Sequence, residues 1–304
     1  MTRDLLLASV AVALVACAGD RSAAGRQDNE AFSAQAFAPG VVSTEGGESW
    51  ISFHPGGELI VFGRHNDENW TGHTVYLSRA EGDGWTEPVV APFSGSYNDR
   101  GARFAPGGRS LYFSSSRPRP GDAEPRDDHD IWVVDWTPDG WSDPRLLPAP
   151  VASGAPDVHP SVAADGTIYF ASGRAGDAGR WDLYRARPTN DGYEVESLGP
   201  DINTPQSETD IYVDPEQRFI VFVRTDDPEG FGGDDLYYSE PTETGWSTPR
   251  NLGAAVNTPE YEYGPLISWD GTRLYFTSHK DGPADIFEAD VAGLGIWPAT
   301  EPEP

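Results

Sequence analysis

Glu262-Tyr263-Gly264-Pro265-Leu266-Ile267-Ser268-Trp269-Asp270-Gly271-Thr272-Arg273-Leu274-Tyr275-Phe276-Thr277-Ser278 is the stretch that decides the fold. It reads as an acid, a short strand, an Asp-Gly turn and a second strand ending on Phe. Asp-Gly supplies the positive φ that a tight hairpin turn demands. The same order recurs upstream at intervals of about fifty residues, the size of one propeller blade. The leading acids are Glu48, Asp99, Asp157, Glu208 and Glu262. The turns are Pro55-Gly56-Gly57, Pro106-Gly107-Gly108, Asp165-Gly166, Glu216-Gln217 and Asp270-Gly271. The closing residues are Phe62, Phe113, Phe170, Phe222 and Phe276.

A third strand follows each Phe, beginning Val75-Tyr76, Ile131-Trp132, Leu183-Tyr184, Leu236-Tyr237 and Ile286-Phe287. A fourth is opened by Gly84-Trp85, Gly140-Trp141, Gly192-Tyr193 and Gly245-Trp246. β-Branched and aromatic residues at these places suit strands packed between blades. The fifth copy has only Gly295-Ile296-Trp297 for its last strand. Its replacement is expected from residues 37–42, because Thr44 precedes Glu48 as Thr204 precedes Glu208 and Thr258 precedes Glu262. The expectation is an all-β, five-bladed β-propeller, its ring closed by an N-terminal strand in the last blade so that no edge is left open.

These motifs resemble the WD40-like repeats of TolB-type periplasmic propellers, over about residues 42–290. The fullest copy runs from Asn251-Leu252-Gly253 through Asn257-Thr258-Pro259 to Ser278. What the resemblance implies is a propeller serving as an interaction platform. It names no ligand.

The ends read differently. Arg3 opens a short leader, and residues 5–16 form an apolar run of signal-peptide length, short for a membrane span. It ends Leu14-Val15-Ala16-Cys17, which resembles the lipobox of bacterial lipoproteins. That resemblance implies a signal peptide over 1–16 and lipidation at Cys17, with Ala18 favouring the outer membrane. Cys17 is the only cysteine, so no intrachain disulfide is available. Residues 17–36 read as a flexible tether, 37–297 as the propeller domain and 298–304 as a disordered Pro/Glu tail. Export to the cell envelope follows, the propeller facing the periplasm or the cell surface, as a monomer that meets the membrane only through its lipid.

Single Met, ten Trp, 34 Gly and 27 Pro suit strands and turns. A net charge of −28 repels nucleic acid and anionic headgroups. Cations, cationic peptides and neutral sugars fit it better.

In a four-stranded blade, the loop entering the first strand and the loop between the second and third open on one face. That face is expected to gather the five leading acids at the channel mouth, with Arg64, Arg117, Arg174 and Arg224. Recurrence in every blade favours structural Arg–carboxylate pairs, whereas a ligand site departs from its repeat. On the face carrying the loops between second and third strands, Trp70, Arg117, His129, Arg174, Trp181 and Phe231 are the partner-contact candidates, and the departures from the repeat include His159 at the channel mouth. Aromatic and Arg anchors carry most interface energy.

Three readings of the acidic loops stand side by side. Asp127, Asp128, Asp130, Asp234 and Asp235 are hard oxygen donors of the kind Ca²⁺ takes, in a spacing that is not an EF-hand. Two channel-mouth carboxylates about 5–10 Å apart would serve a polysaccharide hydrolase. Otherwise the acids are a solvated surface. Nucleophile elbow, zinc-protease and phosphate-loop motifs are missing from the sequence. The reading is a non-catalytic binding or scaffold lipoprotein recognising an envelope protein, peptide or glycan, with the hydrolase as the alternative.

Overall fold

A computed structural model describes residues 33–65, 72–137, 140–174 and 180–296. Among these, the strands form five antiparallel sheets, each one blade, as the repeat predicts. The blades start with inner strands Glu48–Phe53, Asp99–Phe104, Asp157–Val162, Ser207–Val213 and Glu262–Ile267. Each runs by a hairpin into its second strand, Leu59–His65, Ser110–Ser115, Ile168–Ser172, Ile220–Thr225 and Arg273–Ser278. The third strands are His73–Glu81, Asp130–Thr137, Asp182–Thr189, Asp234–Ser239 and Asp285–Asp290.

Proline shapes the outer strands. Pro88 splits the fourth strand of blade 1 into Gly84–Trp85 and Val89–Val90, and Pro144 splits that of blade 2 into Gly140–Trp141 and Arg145–Leu146. Blade 3, with no proline there, keeps one strand, Gly192–Ser197. A residue without an N–H is tolerated at an edge but interrupts the ladder. In blade 4 only Arg250–Asn251, just after Pro249, completes the sheet.

Ring closure follows the expected scheme with a shifted strand. Gln35–Ala36 pairs with Asp285–Asp290, Gln35 opposite Glu288 and Ala36 opposite Phe287. The pairing thus begins inside the segment read as tether. Residues 37–42 are not the strand: Ala38 and Gly40 take positive φ around Pro39 and turn the chain inward. The turn buries Val42 completely and packs Phe37 among Phe53, Trp85 and Tyr275. Residues 1–32, 66–71 and 297–304 lie outside the described residues, and with them the leader, Cys17, Trp70 and the tail.

The core is a ring of packets between blades. Blade 1 meets blade 2 through Leu59, Val61 and Val75 against Phe104, Leu111 and Phe113. Blade 2 meets blade 3 through Ile131 and Val133 against Ile168 and Phe170. Blade 3 meets blade 4 through Tyr169 and Leu183 against Ile220 and Phe222. The last packet joins blades 4, 5 and 1 around Val221, Phe276 and Phe62. All five repeat phenylalanines are buried, each contributing roughly 1.5–3 kcal/mol. Side-chain hydroxyls stitch the same seams: Phe104 N–H donates to Ser52 (3.0 Å), His159 N–H to Ser114 (2.9 Å), Val213 N–H to Ser161 (3.0 Å) and Trp50 N–H to Thr277 (3.2 Å).

Candidate functional site in the central channel

The five leading acids are not open at a channel mouth. Each is fully buried. Thr44 donates to Glu48 through its N–H (3.0 Å) and hydroxyl (2.6 Å), and Thr204 and Thr258 do the same for Glu208 and Glu262. The spacing of four residues between Thr and Glu is this contact. On the other side Arg64 Nε donates to Glu48 (2.8 Å) and Arg224 Nε to Glu208 (2.9 Å). Where the acid is the shorter Asp, the arrangement changes to suit. Ser115 and Ser172 fill the gap to Asp99 (2.5 Å) and Asp157 (2.6 Å), and the arginine moves two residues on, to Arg117 (2.9 Å) and Arg174 (2.7 Å). Glu262 takes Ser278 (2.6 Å), and Lys280 pairs with Asp281. Each of the four guanidinium groups also lies about 5–6 Å from the repeat Phe and the third-strand aromatic, Arg224 over Phe222 and Tyr237 for example.

The channel itself is lined by other residues, set by a bulge in every inner strand. The register slips between Ser49 and Ser52, Arg100 and Arg103, Val158 and Ser161, Thr209 and Tyr212, and Tyr263 and Leu266. In each bulge the residue two beyond the acid has positive φ: Trp50 (51°), Gly101 (60°), His159 (53°), Asp210 (47°) and Gly264 (63°). Glycine adopts this conformation freely. A tryptophan, a histidine and an aspartate in it hold about 1–3 kcal/mol of strain each.

Those three meet in the lumen. Trp50 Nε1–H donates to Asp210 Oδ1, and His159 Nδ1 lies 2.9 Å from Asp210 Oδ2, an ion-pair contact off the line of a good hydrogen bond. The Trp50 ring packs on His159 (5.2 Å), His73 (5.1 Å) and Tyr263 (5.3 Å). The glycines make room: a Cβ on Gly264 would sit 2.8 Å from the Trp50 ring, and one on Gly101 2.9 Å from that of His159.

Electrostatics in the lumen are unusual. Burial, opposed and outweighed by His159 and by the bonds from Trp50 and Thr209, leaves Asp210 below the usual carboxylate range. Burial pushes Asp234 up to about 6, with Asp210, Asp226 and Asp235 adding to it. Burial drives His73 down to about 3 and His129 down to about 2, so both are neutral near pH 7, with His65 and Arg100 adding for the first and Arg100 for the second. His73 keeps its backbone N–H on Asn98 (3.1 Å). Arg100 and Arg103 face Asp210 from blade 2.

On the opposite, hairpin-turn face, Tyr212, Phe219 and Trp269 line a cavity of about 360 Å³ rimmed by Asp214, Glu216 and Asp270.

The partner-contact candidates scatter. Arg117 is buried and fully engaged by Asp99, Ser115 and the Phe93 carbonyl, so it is no surface anchor. His129 is buried beside the channel, and Arg174 is tied to Asp157 and the Val151 carbonyl. Trp181 packs half-buried on the seam of blades 3 and 4, while Phe231 is 44% exposed. The calcium candidates do not gather. Asp130 is buried against Arg119 (2.5 Å) and Arg126 (3.3 Å), Asp128 pairs with Arg126 (2.6 Å), and Asp234 and Asp235 belong to blade 4. Among the described residues no group of three or more His, Cys, Asp or Glu is placed to hold a metal ion.

Trp50, Arg100, Arg103, Asp210 and Tyr263 were not singled out by the sequence. For Trp50 and Asp210 the signal was the position two beyond each acid, glycine in two repeats and Trp, His or Asp in the other three; for Arg100, Arg103 and Tyr263 the sequence carried none.

No family model and no curated protein matches this sequence. Solved structures do match in shape. TolB from Acinetobacter baumannii is 15% identical with a TM-score of 0.51 over 81% of this chain, which spans 55% of TolB's length. A glycoside hydrolase is 10% identical with a TM-score of 0.61, covering 91% of this chain and 95% of its own. An endo-arabinase from Bacteroides thetaiotaomicron is 11% identical with a TM-score of 0.53, covering 86% and 98%. At such identities the likeness is one of fold: the chain, with its five sheets, is an all-β, five-bladed propeller, similar in shape to TolB and to a glycoside hydrolase.

Proposed function

We propose that this chain is a non-catalytic binding lipoprotein of the bacterial cell envelope, exported by residues 1–16 and anchored at Cys17. It recognises an envelope protein, peptide or glycan on the face that carries the loops between second and third strands. The observation that carries this reading is the engagement of the repeat carboxylates. Four are held by arginine and the fifth by Thr258 and Ser278, so the acids that recur serve the seams and leave chemistry to none of them. Phe231 and Trp181 then remain as aromatic contacts.

The test is binding of the intact protein to immobilised envelope glycans and to envelope proteins cross-linked in situ, before and after Phe231→Ala and Trp181→Ala. Loss of binding at unchanged Tm supports the face; unchanged affinity sinks it. Cys17→Ser should release the protein from the membrane fraction, and a protein that stays bound would refute the anchor.

A polysaccharide hydrolase is the second reading, and Asp210 with Asp234 favours it. They are a buried and a part-buried carboxylate whose surroundings drive the first down and the second up to about 6, the division expected of a base and an acid. Release of reducing ends from arabinan or another envelope polysaccharide, lost in Asp234→Asn, would establish it.

A further inference from the structure

Among the described residues, the part-buried Arg100 and the buried Arg103 stand apart from the arginines of the seams. Arg64, Arg117, Arg174 and Arg224 each close on a carboxylate. Among the described residues neither Arg100 nor Arg103 makes a hydrogen bond or ion pair. Nε of the first and Nη1 of the second are buried without a partner. Arg103 is 7% exposed, its guanidinium 5.8 Å from the Tyr212 ring, and burial pulls its pKa down to about 10. A guanidinium taken out of water without hydrogen bonds costs several kcal/mol. Departures of this kind from an otherwise satisfied repeat mark function.

The bulge aims them together. Arg100 lies opposite Ser114 and Arg103 opposite Tyr112, so three steps on the inner strand match two on its neighbour. Both side chains therefore fall on one side of the strand. Across the lumen they face Asp210, a carboxylate already engaged by Trp50 and His159. His73 and His129, with Nε2 of each buried and unpartnered, complete the surroundings.

We propose that the central channel is a carboxylate-binding site in which Arg100 and Arg103 grip the anion, with Nε2 of the neutral His129 offering a further hydrogen bond. A planar carboxylate matches the fork of a guanidinium. In a chain of net charge −28 these unpaired cations sit where the acidic surface does not neutralise them. The proposal concerns the lumen and does not depend on the envelope partner or its face.

Calorimetry of the intact protein at pH 5.5, where Asp234 is largely protonated, tests it. Potassium acetate and potassium glucuronate are compared at constant ionic strength with potassium chloride, potassium sulfate and glucose. Both carboxylates should raise Tm above chloride by on the order of 2–4 °C at ten times Kd. Arg103→Met should abolish that increment and raise the Tm of the ligand-free protein, because it removes an unpaired buried charge. A general salt effect would survive the substitution. Arg100→Lys, which keeps the charge but not the fork, should weaken the carboxylates at least about tenfold. Equal Tm in acetate and chloride overturns the proposal, as does a response to sulfate alone. A ligand-free Arg103→Met protein that melts lower would make the guanidinium a strut and overturn it equally.

Discussion

Trp50 and Asp210 belong to blades 1 and 4, which are not neighbours in the ring, yet the indole N–H of one donates to the carboxylate of the other across the lumen. The propeller is therefore tied through its centre as well as around its seams. Both residues hold positive φ, so the contact is kept against backbone strain. Asp210→Ala should destabilise by about 2–4 kcal/mol in urea unfolding, since it leaves Trp50 Nε1 and His159 without their acceptor. Asp210→Asn, which tolerates the left-handed conformation and still accepts from Trp50, should cost less than half as much. Equal losses would mean that the charge matters more than the hydrogen bond.

Two glycines with the same backbone hand separate steric cost from conformational cost. Gly264 (φ 63°) would place a Cβ 2.8 Å from Cδ1 of Trp50, whereas Gly271 (φ 74°), in the hairpin turn of the same blade, would place one in open space. Gly271→Ala should lose about 1 kcal/mol for its positive φ. Gly264→Ala should lose that and further destabilise by moving the indole off Asp210. Matching losses would show that the ring yields freely.

That glycine also shows where sequence reading stops. The blade count, the Phe at each seam and the Thr–x–x–x–Glu spacing were legible because each is local and recurs, whereas the contact behind that spacing was not. The pairing of Glu with a near Arg and of Asp with Ser and a farther Arg is legible only once strand register is known. The channel ring was not legible: which residues face a lumen depends on the bulge, and a bulge leaves no mark on hydrophobic alternation in strands this short. Gly101 and Gly264 at equivalent places were the available hint of positive φ. Arg117 and His129 are buried although they lie in loops, because a loop's position does not by itself give exposure.

The seams predict a reversal of sign between arginines. Arg224→Met leaves Glu208 buried without its strongest partner and should cost about 3–5 kcal/mol. Glu208→Gln in the same chain should recover part of that loss, since no charge then remains to be paired. Arg103→Met, by contrast, should gain stability. Urea unfolding of the three variants gives all three outcomes, and a costly Arg103→Met would put that residue among the seam arginines.

Acid unfolding should have two limbs. His73 and His129 fall in the folded state from 6.5 to about 3 and about 2, so their contribution is complete above pH 6.5 and is lost as pH falls, when the unfolded chain takes up protons the folded one refuses. Asp234 and Asp285 rise from 3.8 to about 6, so the folded chain holds protons there that the unfolded one has released, and they add stability as pH falls from 6 to 3.8. Each buried histidine tilts stability by up to about 1.4 kcal/mol per pH unit, and the part-exposed Asp234 and Asp285 by less. Between pH 6 and 4 the opposing slopes largely cancel; below pH 4 the histidines act in the same direction as Asp210, whose folded value is depressed, and stability should drop steeply. His129→Gln should soften the lower limb, and Asp234→Asn should turn the plateau above it into a decline. A single smooth decline from pH 6.5 in the unsubstituted protein would show that the aspartates do not hold their protons in the fold.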